Sequence, residues 1–293
     1  MPEKRWGKRD LIIDAHVHVW RLARGDNVAL TPAMTAIYRD REPQHLRPLL
    51  DDAGVDRVVV VQAAETLAES VFTLGLVRKF PWIAGVVGWI DPSSPSVEEE
   101  AAALAATGVV KGVRTVRDDN RSMAWMPDAR LDRCWKALED NDLSLDVLVQ
   151  NWRELPLVRL LARGLPKLPI VLNHCGKPDI AEGKFDGWSK FIEELTVTPN
   201  VVCKLSGLMN CAMPGSDFSE VARYANFVLT AFGSSRVMWA SDWPPLDLAS
   251  DYLGWRCFSE EALMSLDSSE RDDVWFRTAT RIYRLSTERE GTS

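Results

Sequence analysis

The chain has 293 residues, of which 46% are hydrophobic and 26% charged, and a net charge of −7 at pH 7. That composition supports a large buried core and excludes a disordered chain. The acidic balance argues against a nucleic-acid partner, which needs a basic face. No apolar run approaches the length of a membrane span, and Asp14, His16 and His18 interrupt the only leader-like stretch.

Eight strand-like runs follow in order: Leu11–Val19, Arg57–Gln62, Ile83–Ile90, Val109–Val116, Ser144–Gln150, Pro169–His174, Asn200–Ser206 and Arg236–Asp242. Helical patterns separate them, over Gln44–Ala53, Glu69–Lys79, Val97–Ala106, Leu131–Asp140, Leu155–Arg163, Gly187–Glu194 and Phe218–Ala231. A last helical region runs from Ser259 to about Tyr283, before a polar tail, Ser286–Ser293. Such alternation means parallel strands with helical crossovers. Eight units predict a single (β/α)8 TIM barrel over residues 1–285, with 286–293 as the tail. A doubly wound open sheet is the competing fold, but no glycine-rich phosphate turn follows an early strand. Five scattered cysteines without a CxxC pair (Cys134, Cys175, Cys203, Cys211 and Cys257) fit a reduced, cytoplasmic setting.

In such a barrel, function collects where strands end and the following loops begin. The longest of these loops runs from Trp20 to Pro43; others cover Arg117–Asp128, Cys175–Asp186, Gly207–Ser216 and Trp243–Asp251. The first strand reads Ile13-Asp14-Ala15-His16-Val17-His18-Val19-Trp20. Strand alternation places Asp14, His16, His18 and Trp20 on one face and Ala15, Val17 and Val19 on the other. Two of the four histidines of the chain lie here. They are costly as core filling and suited to a metal ion, a carbonyl or a water. With Ile170 and Leu172 inside the barrel, His174 faces inward at the mouth; Met238, Ala240 and Asp242 share the inner face of strand eight. His16, His18, His174 and Asp242 then converge from three strands. His45, on a surface helix, reads as structural.

Several other residues can reach the same space. Arg114, in Lys111-Gly112-Val113-Arg114, either grips a carboxylate or ring hydroxyls or pairs with a loop carboxylate. Lys204 either reaches substrate or pairs internally, and Gln62 can offer an amide to a hydroxyl. Trp20, Trp89, Trp152 and Trp243, four of twelve tryptophans, sit at strand ends where a ring can stack on a sugar or fill the core. Cys175 points away from the site.

Asp-Ala-His-Val-His on strand one, Asn-His-Cys-Gly-Lys-Pro on strand six, Cys-Lys-Leu-Ser-Gly on strand seven and Ser-Asp-Trp-Pro on strand eight together resemble the amidohydrolase-2 branch of the amidohydrolase superfamily. The set is closest in kind to the sugar-lactone hydrolases (L-fuconolactonase, L-rhamnonolactonase) and the pyrone-dicarboxylate lactonase. The resemblance implies a metal-dependent-hydrolase type of TIM barrel that opens a lactone. It also implies that Asp242 activates water while His16, His18 and His174 hold the carbonyl, the water or a divalent metal. The wider superfamily adds a strand-five histidine and a strand-four lysine or glutamate. Here strand five ends Val149-Gln150-Asn151-Trp152 and Lys111 sits at the wrong end of strand four, so two metals are not expected. Three histidines and an aspartate suit one ion, zinc by ligand type, with an open position; they can also work without metal. The competing functions are a zinc-dependent non-oxidative decarboxylase of a small carboxylic acid and a silent barrel that binds a sugar acid. The departures at Gln150-Asn151-Trp152 and Arg117-Asp118-Asp119-Asn120 bear on which lactone is taken.

Overall fold

A computed structural model describes residues 11–115 and 126–286. Eight strands, β1 (Ile13–Val17), β2 (Arg57–Val61), β3 (Ile83–Gly88), β4 (Val110–Arg114), β5 (Ser144–Val147), β6 (Ile170–Leu172), β7 (Val201–Leu205) and β8 (Val237–Trp239), pair in chain order, each parallel to the next. Runs such as Arg-Val-Val-Val-Val in β2 suit strands buried on both faces. The crossovers are helices α1 (Pro43–Ala53), α2 (Leu67–Val77), α3 (Val97–Ala106), α4 (Asp132–Asp140), α5 (Leu155–Gly164), α6 (Phe185–Thr196) and α7 (Phe218–Phe232). The expected (β/α)8 barrel is therefore present, and the open sheet is not.

Local chemistry sets the helix ends. Pro43 starts α1 behind a capping box in which the Glu42 N–H donates to His45 Nδ1 at 3.1 Å, giving His45 its structural part. Asp217 and Asp251 cap α7 and α8 (Tyr252–Ala262) through side-chain oxygens. The expected single helical region from Ser259 to Tyr283 is in fact broken. After α8 the chain makes α9 (Ser268–Asp272), a π turn over Asp273–Arg277 and α10 (Thr278–Tyr283). The last helix closes the end of the barrel away from the loops, where Ala279, Ile282 and Tyr283 pack with the interior side chains.

Two apolar layers result. One joins the outward faces of the strands to the helices. The other fills the barrel with Ile13, Ala15, Val59, Val61, Val171 and Met238, among others. Ile170 and Leu172 lie in the outer layer and Val171 in the inner one, the reverse of the expected parity in β6. Strand one also departs from simple alternation. Its register against β2 shifts between Asp14 and Val17, so Ile13 and Ala15 point inward before the shift and Val17 and Val19 outward after it.

The barrel closes between β1 and the segment after β8. The Asp242 N–H donates to the His16 carbonyl at 3.0 Å, and the His18 N–H to the Trp243 carbonyl at 2.7 Å. Asp14, fully buried, replaces a missing ladder bond: its carboxylate accepts from the Ser241 N–H (2.9 Å), the His16 N–H (3.1 Å) and the Tyr252 hydroxyl (2.8 Å). Burial still pushes the Asp14 carboxyl up to about 6. Asp14 therefore belongs to the seam and not to the face of His16.

No helix among the described residues is long and apolar enough to cross a membrane. The end of the expected tail, residues 287–293, lies outside the described residues, as do residues 116–125 of the loop after β4. Packing around Gly112 offers a direct check on the inner layer. A Cβ there would overlap the Ser144 hydroxyl and lie 2.9 Å from the Ser144 carbonyl oxygen. Gly112→Ala is expected to lower unfolding stability by about 1–3 kcal/mol, read from the urea midpoint at unchanged slope.

Candidate active site

At the loop end of the barrel lies a cavity of about 550 Å³, reached by His18, His174, Asp242 and Arg114. Arg114 ends β4, but the other three lie beyond the last residues of their strands. β8 ends at Trp239, and Asp242 takes left-handed backbone with φ 63°. β6 ends at Leu172, and His174 and Cys175 are left-handed at φ 53° and 51°. That turn aims His174 into the mouth although the parity premise for β6 is reversed. Cys175 then packs in the outer layer, as expected. Two tryptophans tether these turns from the helices: Trp188 of α6 donates to the Cys175 carbonyl and Trp255 of α8 to the Ala240 carbonyl, both at 2.8 Å. Gly207 makes room for the histidine, since a Cβ there would sit 2.6 Å from the His174 Cβ.

The four expected residues come together. Asp242 Oδ1 lies 3.6 Å from His16 Nε2, 3.5 Å from His18 Nε2 and 3.7 Å from His174 Nε2. The Nε2 atoms of His16 and His18 are 3.0 Å apart. The other ring nitrogen of each histidine is engaged: His18 Nδ1 with the Val61 carbonyl (2.9 Å), His174 Nδ1 with the Ser206 hydroxyl (2.9 Å) and His16 Nδ1 with Lys204 Nζ (3.2 Å). Burial pushes all three imidazoles down, His174 to about 3, so they are neutral at neutral pH. Burial acts on Asp242 in the opposite sense, but His174, His18 and Arg114 outweigh it and hold the carboxyl below its ordinary range.

These residues fit a divalent ion. His16, His18 and Asp242 offer ligand atoms within 4.8 Å of one another. Zinc bonds of 2.0–2.1 Å in tetrahedral geometry put ligand atoms about 3.3 Å apart, close to the 3.0–3.6 Å among these three. Asp242 Oδ1 is buried with no hydrogen-bond partner among the described residues, as a ligand oxygen awaiting a cation would be. His174 stands outside that group of three, beside it.

The remaining expected residues divide. Trp20 and Arg114 line the cavity. Arg114 donates to the Gln62 carbonyl at 2.6 Å, and its Nε has no hydrogen-bond partner among the described residues. Gln62 is buried off the cavity wall, and its amide donates to the Arg114 carbonyl at 3.2 Å, so it braces Arg114. Lys204 is fully buried below His16, off the cavity wall, and pairs internally with Asp146 at 2.7 Å. Trp243 is fully buried in the outer layer under Arg41, whose guanidinium is 5.6 Å from the ring centroid, so it offers no stacking face. Trp89 and Trp152 are likewise off the wall. The expected site lacked Lys177. Its ammonium lines the cavity without a hydrogen bond or ion pair among the described residues, and burial lowers its pKa. Lys177 precedes proline, a position biased to extended backbone, yet it is left-handed at φ 48°. That bias hid its direction.

The sequence pattern of the amidohydrolase family matches residues 13–285. This chain belongs to the amidohydrolase family. An L-fucono-1,5-lactonase of Burkholderia ambifaria is 38% identical over 277 residues, 93% of this chain and 95% of that protein. An L-fucono-1,5-lactonase of Burkholderia multivorans is 34% identical over 286 residues, 94% and 96% of the two chains. The crystal structure of a Burkholderia multivorans amidohydrolase with bound zinc superposes with a TM-score of 0.87 at 34% identity, covering 94% of this chain and 100% of that one.

The donor set makes a metal prediction. After chelator treatment, zinc titration is expected to saturate at one ion per chain by elemental analysis. His18→Ala is expected to weaken binding by roughly 100-fold or more, at or above what loss of an outer-shell partner costs.

Proposed function

We propose that this protein hydrolyses the lactone of a sugar acid, with L-fucono-1,5-lactone and its close stereoisomers as the substrate class. One observation carries the reading: the buried Asp242 carboxylate lies 3.5–3.7 Å from three buried imidazoles at the mouth of a cavity that Arg114 and Lys177 also line. The names of the two Burkholderia relatives support the choice of lactone.

The chemistry follows from these charges. Asp242 orients a water and takes its proton as the water oxygen bonds to the lactone carbonyl carbon. The oxyanion that forms faces Arg114 and Lys177, cations already in place and held in a partly dry wall. As the ring C–O bond breaks, the proton on Asp242 passes to the leaving alkoxide, giving the open hydroxy acid. His174, held through Ser206, lies 3.7 Å from Asp242 Oδ1, within reach of a water that Asp242 orients. A divalent ion held by His16, His18 and Asp242 would add Lewis acidity to the carbonyl or the water.

The walls fit a deoxy sugar. Trp20, Leu30, Met34 and Ile37 of the first loop form an apolar side, which suits C–H and methyl groups. Gln150, Lys177, Asp179 and Asn210 form a polar side for ring hydroxyls.

A pH-indicator screen of sugar-acid lactones, with and without chelator, is expected to find turnover. Asp242→Asn should fold normally and lose about 10²- to 10⁴-fold in kcat, the range of a general base; full activity in that variant contradicts the assignment. Dependence on zinc with turnover of carboxylic acids, and none of lactones, would favour the decarboxylase. The pH profile is also determined. Because His16, His18 and His174 are lowered from 6.5 and Asp242 from 3.8, the active protonation state persists as pH falls through the usual imidazole range. The acid limb of kcat/KM should therefore show no inflection near 6.5.

A further inference from the structure

Beneath the three imidazoles the barrel axis carries a second polar assembly. Lys204 of β7 and Asp146 of β5 are fully buried, and neither lines the cavity. Lys204 Nζ donates to Asp146 Oδ2 at 2.7 Å and lies 3.2 Å from His16 Nδ1. Asp146 also accepts the Tyr283 hydroxyl, 2.9 Å from each carboxylate oxygen. Tyr283 is the last residue of α10, which Arg284 ends in left-handed backbone, and its ring centroid lies 5.3 Å from Lys204 Nζ. Tyr283, Asp146, Lys204 and His16 thus form one chain of contacts from the closed end of the barrel to the site.

An ion pair in this place asks for a reason. The interior around it is filled by Val59, Val61, Val87, Val171 and Val202, the usual branched filling of such barrels. Replacing a buried pair by apolar side chains of similar volume is often neutral or stabilising, so stability alone does not account for it. Its contacts point to His16. His18 and His174 are held by a carbonyl and a hydroxyl, whereas the ring of His16 is held by the end of a charged side chain. That contact fixes the rotation at which His16 Nε2 faces His18 and Asp242.

We propose that Lys204, held by Asp146 and Tyr283, is the positioning residue for His16, so that the final helix sets the orientation of an imidazole at the opposite end of the barrel. The kinetic part of this proposal rests on the lactone hydrolysis proposed above; the structural part does not.

Tyr283→Phe removes one hydroxyl and keeps the ring, and Lys204→Met keeps the length and removes the charge. The chain has four histidines, so an imidazole ¹⁵N spectrum has four rings to resolve. The His16 ring signals are expected to move in both variants while those of His45 stay. In lactone hydrolysis, kcat should fall roughly 3- to 10-fold in Tyr283→Phe and on the order of 30-fold in Lys204→Met, as outer-shell losses do, with KM within about two-fold of the parent. Should Lys204→Met fail to fold, Tyr283→Phe carries the test. Unmoved His16 signals in Tyr283→Phe overturn the proposal, as does a loss of kcat matched by an equal rise in KM. If the unaltered protein opens no lactone, the functional reading fails, and the spectra alone decide the positioning.

Discussion

Closure of the barrel at the β1–β8 seam is the constraint on which the rest depends. Seven strand pairs are parallel ladders, three of them with a register shift, whereas the eighth junction is made from a few bonds between the end of β1 and the segment after β8. The same residues that close the seam bear the candidate site. The Asp242 N–H bonds to the His16 carbonyl and the His18 N–H to the Trp243 carbonyl, so joining the two edges brings the carboxylate against both imidazoles. Asp14 stabilises that irregular join by accepting two backbone N–H bonds, from Ser241 and His16, and the Tyr252 hydroxyl. Fold and site share one set of hydrogen bonds.

The electrostatics of the mouth follow from burial. Three imidazoles removed from water lose the charged form, because nothing in the barrel matches bulk water in solvating a cation. A neutral imidazole with its Nδ1 engaged presents the Nε2 edge, suited to a metal, a water or a carbonyl. Asp242 keeps its charge in the same surroundings because Arg114 and the imidazoles favour it more than burial disfavours it. Arg114, which lines the cavity, is held in turn by reciprocal bonds with Gln62. The three imidazoles and Arg114 are each restrained by a partner behind them, so little ordering of these groups remains for substrate to impose.

The loops decide what enters. The first loop is tied at its base by the Trp20–Arg41 bridge, and Trp20 Nε1 donates to the Arg39 carbonyl at 2.8 Å. Farther along, Arg24 pairs with Asp26 and with buried Glu69 of α2, and lies 4.1 Å from the Phe72 ring centroid. These contacts hold an apolar wall over the mouth without a long helix or strand of its own. Trp188 and Trp255 fasten helices to the segments that follow β6 and β8, and of Trp20, Trp89, Trp152 and Trp243 only Trp20 lines the cavity.

Rhythm and composition alone determined the (β/α)8 plan, since alternating apolar runs and helical patterns admit few other packings. They also singled out His16, His18, His174 and Asp242, because ionisable side chains at the ends of apolar strands are expensive without a shared purpose. Tertiary structure decided how those residues arrive. Simple alternation assigned Asp14 to the wrong face and inverted Ile170, Leu172 and Val171, because a register shift in β1 and left-handed turns after β6 and β8 are paid no visible signal in residue order. The roles of Lys204, Gln62 and Trp243 likewise depended on depth along the barrel axis, and that of Lys177 on a backbone conformation unusual before proline. Side-chain type is local and legible in a sequence; depth and direction are set by how distant segments close on one another.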